Sequence, residues 1–205
     1  MSVLFRLKAL APALLLAVSA CGLNSVPTAE EAAKARWADV QNEYQRRADL
    51  IPNLVATVQG YAAQEKDVLV GVTEARARAT QTNITPAQLN DPAALQRFGE
   101  AQGALGSALS RLMVVVEKYP ELKSNTNFLA LQSQLEGTEN RITIARRDYN
   151  EAVQAYNTRI RTFPDAIGAK VFHGAQPMAP FQATTAGAES APKVSFPAAA
   201  PAATR

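Results

Sequence analysis

A chain of 205 residues with 47% hydrophobic side chains is long enough for one domain with a substantial core. Its single cysteine excludes an internal disulfide, and with only one histidine, His173, it lacks the residues for a Cys/His metal cluster or a paired Cys-His nucleophile. The 21 basic and 18 acidic residues give a formal net charge of +3, of which Arg6 and Lys8 in the first 20 residues supply two, so no clustered positive excess speaks for nucleic acid.

The chain opens with a short basic region and an apolar run, Ala9 to Val18, too short to cross a bilayer, which takes about 20 residues. Val18-Ser19-Ala20-Cys21 follows. This is the pattern of an export signal ending in a lipobox, with cleavage after Ala20 and covalent lipid on Cys21 as the only attached group; no other cofactor is expected. Gly22 after the cysteine, in place of Asp, slightly favours the outer membrane over the inner. The expected organisation is a signal peptide over 1–20, a lipid-anchored linker over 21–27, a helical bundle over 28–172 and an Ala/Pro-rich disordered tail over 173–205.

From Thr28, which with Glu31 has the spacing of a capping box, apolar residues recur in alternating steps of three and four: Trp37, Val40, Tyr44, Arg47, Ile51, Leu54, Val58, Tyr61, Glu65, Val68, Val72 and Ala75. The phase runs through Pro52 without a skip, which predicts a long helix kinked there rather than broken. Thr85-Pro86 and Asp91-Pro92 each offer an N-cap followed by proline, marking the first turn. A second series, Leu95, Phe98, Gln102, Leu105, Leu109, Leu112, Val116 and Tyr119, stops at Pro120. A third runs Phe128, Leu131, Leu135, Thr138, Ile142, Ala145, Tyr149, Ala152, Tyr156, Arg159 and Phe163. At 1.5 Å per residue the three segments would be roughly 80, 40 and 55 Å long. No strand pattern of useful length appears. The fold class that follows is all-α: an antiparallel up-and-down bundle of three long helices, the first kinked, resembling a four-helix bundle in packing. Beyond His173 the prolines and small residues predict disorder.

The polar residues that stand out are Arg46, Arg47, Asp49 and Asn53 around the proline, and Glu136, Thr138, Glu139, Asn140 and Arg141 on the third helix. As structure, they would form interhelical ion pairs and hydrogen bonds. As function, Asn53 and the Glu139-Asn140-Arg141 group would converge into a recognition patch for an envelope partner. The spaced tyrosines Tyr44, Tyr61, Tyr149 and Tyr156 are expected in the core. Trp37, sixteen residues from Cys21, could instead rest at a membrane interface.

Four motifs in order resemble a known family: Tyr44-Gln45-Arg46-Arg47-Ala48-Asp49-Leu50-Ile51-Pro52-Asn53-Leu54-Val55, then Val116-Glu117-Lys118-Tyr119-Pro120-Glu121-Leu122-Lys123, then Leu135-Glu136-Gly137-Thr138-Glu139-Asn140-Arg141-Ile142, and finally Arg146-Arg147-Asp148-Tyr149-Asn150 with Tyr156-Asn157. Over residues 27 to about 172 the chain is similar to the LemA family. The resemblance implies an antiparallel helical bundle tethered to a bacterial membrane, and loosely implies protein partners in the envelope. Many family members have a transmembrane N-terminal helix where this chain has a lipobox. The family has no agreed biochemical activity. The expectation is therefore a non-enzymatic, lipid-anchored scaffold or adaptor facing the periplasm, with an envelope protein partner and no evident small-molecule substrate. The alternative is a carrier or enzyme using carboxylates and arginines between helices.

Overall fold

The structure, a computed structural model, describes residues 24–182. The expected signal, the Ala20–Cys21 cleavage site and residues 183–205 lie outside them. The described residues form six α-helices and no strand: α1 (Ser25–Gln59), α2 (Lys66–Gln81), α3 (Pro92–Val116), a one-turn α4 (Pro120–Lys123), α5 (Thr126–Arg159) and a short α6 (Asp165–Val171). A 3₁₀ turn, Pro86–Gln88, precedes α3. The all-α bundle expected from the periodicity is the fold observed. None of these helices is long and apolar enough to cross a membrane.

The long antiparallel pair α1 and α5 forms the spine, and the shorter pair α2 and α3 packs alongside it. Helix α1 is unbroken across Pro52. A proline inside a helix leaves the carbonyl four residues earlier without its N–H partner. Here that carbonyl, on Ala48, accepts a bond from Arg76 Nε on α2 at 2.8 Å. A neighbouring helix thus repairs the defect, and the first motif runs through.

The expected 80 Å first helix does not form. The chain turns at residues 60–65 and α2 folds back, so that Leu69, Val72, Ala75 and Ala79 are buried. Extended straight on, those four apolar residues would project beyond the spine into water. Heptad phase alone could not reveal the turn, because the apolar spacing is the same on both sides of it. Tyr61, expected in the core, is 41% exposed, and Ala62 takes the buried place. The Tyr61 hydroxyl accepts a bond from Asn125 Nδ2 instead.

The start of α1 also differs from expectation. The helix begins at Ser25, within the segment expected as linker, with Val26 already buried. Thr28 is no cap: its hydroxyl donates to the Asn24 carbonyl one turn earlier, and Glu31 pairs with Lys34. The caps read at Thr85 and Asp91 do form. Gln88 Oε1 accepts from the Thr85 amide, and Asp91 Oδ1 accepts from the Ala93 amide.

The core is in two parts. One gathers Trp37, Val40, Tyr44, Phe98, Ile142, Tyr149 and Tyr156; the other gathers Ile51, Leu54, Val58, Leu105, Leu112 and Phe128. Trp37 belongs to the first rather than to a membrane interface. It is 1% exposed, donates from Nε1 to the Ile84 carbonyl at 3.2 Å, and meets the rings of Phe98 and Tyr149 edge-on.

Residues 174–182, the described part of the tail expected to be disordered, pack against the bundle instead. Gly174, at φ +54°, takes the left-handed conformation that a side chain would resist and turns the chain back after α6. Met178, Ala179 and Phe181 are then buried against the first core cluster. The composition argument counted the prolines against order. In a docked segment they favour it, because they restrict the unfolded chain and bring no amide that needs a partner.

Candidate functional site

Two polar arrangements organise the molecule. The first lies between the two core clusters. Arg47 on α1 is 5% exposed. Its Nη1 donates to Glu139 Oε2 on α5 at 3.0 Å, and its Nη2 donates to the Gln102 carbonyl and to Gln102 Oε1 on α3 at 3.2 and 2.9 Å. Gln102 Nε2 in turn donates to the Ala79 carbonyl at the end of α2. One arginine therefore ties all four main helices at a single level. The guanidinium also faces the Tyr44 ring at 5.1 Å. Its Nε has no partner.

The second arrangement holds the segment after Gly174, here called the strap. Tyr149-Asn150 and Tyr156-Asn157 recur seven residues apart on α5, which is two turns and roughly 10 Å along the axis. Asn150 accepts from the Phe181 amide at 2.7 Å and donates to the Phe181 carbonyl at 2.9 Å. Asn157 does the same for Met178, at 2.9 and 2.8 Å. Each asparagine thus pairs with a strap residue as a neighbouring β-strand would. The Tyr149 and Tyr156 hydroxyls donate to the carbonyls of Ala179 and Gln176, and the Ala179 amide donates to the Leu89 carbonyl. Three residues of a proline-rich extended segment rise about 9 Å, so residues 178 and 181 match the two asparagines in spacing. Burial pushes the Tyr149 hydroxyl well above its usual range and raises those of Tyr44 and Tyr156 as well. Arg146 lies over the Phe181 ring at 4.4 Å.

The residues singled out in the sequence divide between core and surface. Arg47 is buried and reaches Glu139 at the exposed rim of α5, and Thr138 is buried with its hydroxyl on the Leu135 carbonyl. Arg46 and Arg141 are exposed and share Glu43, at 3.8 and 2.9 Å. Asp49 and Glu136 are exposed and accept from Gln45 and Gln132 one turn away on their own helices. Asn53 and Asn140 are exposed. Asn53 does not converge with Arg141: the level of Arg141 on α1 is set by Glu43, ten residues or roughly 15 Å from Asn53. Glu43 was not picked out from the sequence, and the two α5 asparagines that hold the strap stood there only within the family motif, not as site residues. The signal for the asparagines was there, in the Tyr-Asn pair repeated at one helical face.

Around Glu43, Arg46 and Arg141 runs an open groove between α1 and α5 of about 340 Å³, bordered by Asp39, Ile144 and Asp148. Another of about 380 Å³ lies between α2 and α3 and is mostly apolar. Both are shallow. Among the described residues no three His, Cys, Asp or Glu side chains are grouped to hold a metal ion.

These features define a helical-bundle protein whose buried polar groups join helices to one another and to a C-terminal strap. The chain belongs to the LemA family, whose profile matches residues 36–196. It is 29% identical over 157 residues to the magnetosome proteins MamQ 1 and MamQ 2 of Paramagnetospirillum magneticum strain AMB-1, covering 69% of this chain. It is 28% identical to magnetosome protein MamQ of Magnetospirillum gryphiswaldense strain MSR-1 over the same share. The chain spans 58% of the length of these relatives.

Proposed function

We propose that this protein is a membrane-tethered scaffold or adaptor of the bacterial cell envelope, held by lipid on Cys21, facing the periplasm and acting by binding another protein rather than by catalysis. The observation that carries the reading is the position of α1. The helix begins at Ser25, four residues after the lipobox cysteine. A lipid there would hold the bundle by one end, and the roughly 50 Å length of α1 would extend away from the bilayer. Kinship with the MamQ magnetosome proteins accords with a membrane-associated helical protein.

The recognition face is the α1–α5 groove around Glu43, Arg46 and Arg141, with Asp49 and Asn53 following Arg46 one and two turns farther along α1. Exposed charges around the half-exposed Ile144 suit a protein surface, where Arg is enriched among contact residues. Chemical crosslinking and co-purification from envelopes test it. A specific partner should be lost when Arg46 and Arg141 are both changed to alanine in a chain that keeps its helical content. An identical partner list from the variant would refute the recognition face. The tether is tested separately: Cys21→Ala should abolish the acylated mass and leave the protein released or uncleaved, and an unchanged acylated mass would refute the anchor.

A further inference from the structure

Nine large hydrophobic side chains are notably exposed among the described residues, and four of them fall in the ten residues from Phe163 to Phe172. Phe163 is 76% exposed, Ile167 53%, Val171 68% and Phe172 66%. Phe163 ends the third apolar series read in the sequence, yet it stands exposed in the turn between α5 and α6. On α6, Ile167 and Val171 are one turn apart and share a face, while Gly168 and Ala169 are buried on the other. The apolar face of α6 is thus turned outward. Lys170 on α6 and Arg161 at the end of α5, within two residues of Phe163, are both exposed. The only acidic residue in this stretch, Asp165, lies 3.8 Å from Arg159.

This corner is at the same end of the bundle as the start of α1. Ser25 Oγ donates to Asp165 Oδ2 at 2.8 Å, and Arg159 Nη1 donates to the Ser25 carbonyl. Cys21 is four residues before Ser25, a reach of at most about 14 Å. Phenylalanine and aliphatic side chains flanked by cations are the chemistry that lies in the headgroup region of an anionic bilayer, about 5–10 Å deep.

We infer that the corner made by the end of α5 and by α6 is a direct membrane contact, in which Phe163, Ile167, Val171 and Phe172 enter the bilayer interface beside the N-terminal attachment. The inference rests on the reading that Cys21 holds this end of the bundle at the membrane. The contact gives the tethered protein a fixed orientation, with the α1–α5 groove standing away from the bilayer.

The test uses the full-length protein purified from membranes and reconstituted into phosphatidylethanolamine–phosphatidylglycerol vesicles with brominated acyl chains, which quench nearby tryptophan. The native Trp37 is buried and supplies a low background. Phe163→Trp and Phe172→Trp should each lose most of their added emission and shift it to the blue. Val114→Trp, equally exposed but at the far end of α3, should lose none. Quenching at neither corner position, or equal quenching at position 114, would overturn the inference. The mass of the Cys21 peptide is read from the same sample, so a missing lipid counts against the tether and the quenching pattern alone decides the contact.

Discussion

Replacing Asn150 by alanine removes both bonds that fix Phe181 in the strap. Each is worth about 1 kcal/mol net, and the Phe181 amide and carbonyl are left facing a gap that water fills only in part. The expected cost is about 2 to 3 kcal/mol, a roughly 30- to 150-fold rise in opening of the strap. Native-state amide exchange reads this directly: protection at Phe181 should fall by that factor, and that at Met178 and Ala179 by less. Asn157→Ala should mirror it, with Met178 losing most. The double variant should fall short of additivity, because once the strap detaches nothing remains to lose. Its total should match the loss from Phe181→Ala plus released strap contacts, about 3 to 5 kcal/mol. Unchanged exchange at Phe181 in Asn150→Ala, or strictly additive losses well beyond that ceiling, would show that the ladder does not hold the strap.

Arg76→Ala should cost about 1 to 2 kcal/mol by urea unfolding because it orphans the Ala48 carbonyl, and most of that cost should vanish in a Pro52→Ala background, where the helix supplies its own donor. Arg47→Ala should cost about 3 to 5 kcal/mol, because it opens a cavity and takes the donor from the buried Gln102 oxygens. Arg47→Met fills the space and should cost less, about 1 to 3 kcal/mol in the same assay, with Gln102 Oε1 still left without its donor. Stability should fall as pH rises above about 10: the unfolded tyrosines release their protons first, while burial keeps Tyr44, Tyr149 and Tyr156 neutral in the fold. Lys34, pushed up to about 12 by its bonds to Glu30 and Glu31, adds to the same alkaline loss, so comparing urea midpoints with Tyr149→Phe isolates the share of Tyr149 alone.

The helical class, the two proline caps at Thr85 and Asp91 and most of the core were legible because a 3.5-residue apolar repeat has few other uses. The same regularity concealed the turn at residues 60–65: Val58, Tyr61, Glu65 and Val68 keep perfect spacing while the chain reverses between them. Arg47 could be seen as a polar residue at a core position. Gln102, polar within the second series, and Glu139, in the group on the third helix, could be seen as well. That they meet Arg47 could not, since they lie on other helices and spacing along one helix does not set the level at which two helices cross. The strap was misread for a different reason. Pro177 and Pro180 signal the absence of a helix, and only the facing Tyr-Asn pairs decide whether the non-helical segment is loose or docked.

The strap also sets an order in time. A chain made from its N-terminus presents Trp37 long before Phe181 exists, and 144 residues must follow before the aromatic cluster can close. Until then the groove along Tyr149 and Tyr156 stays open to water, and α1 and α5 can pair only around an unfinished interior. Completion of the fold is thereby postponed to nearly the last of the described residues, so a protein cut anywhere between Gly174 and Phe181 should carry the exposed aromatic surface of an immature chain.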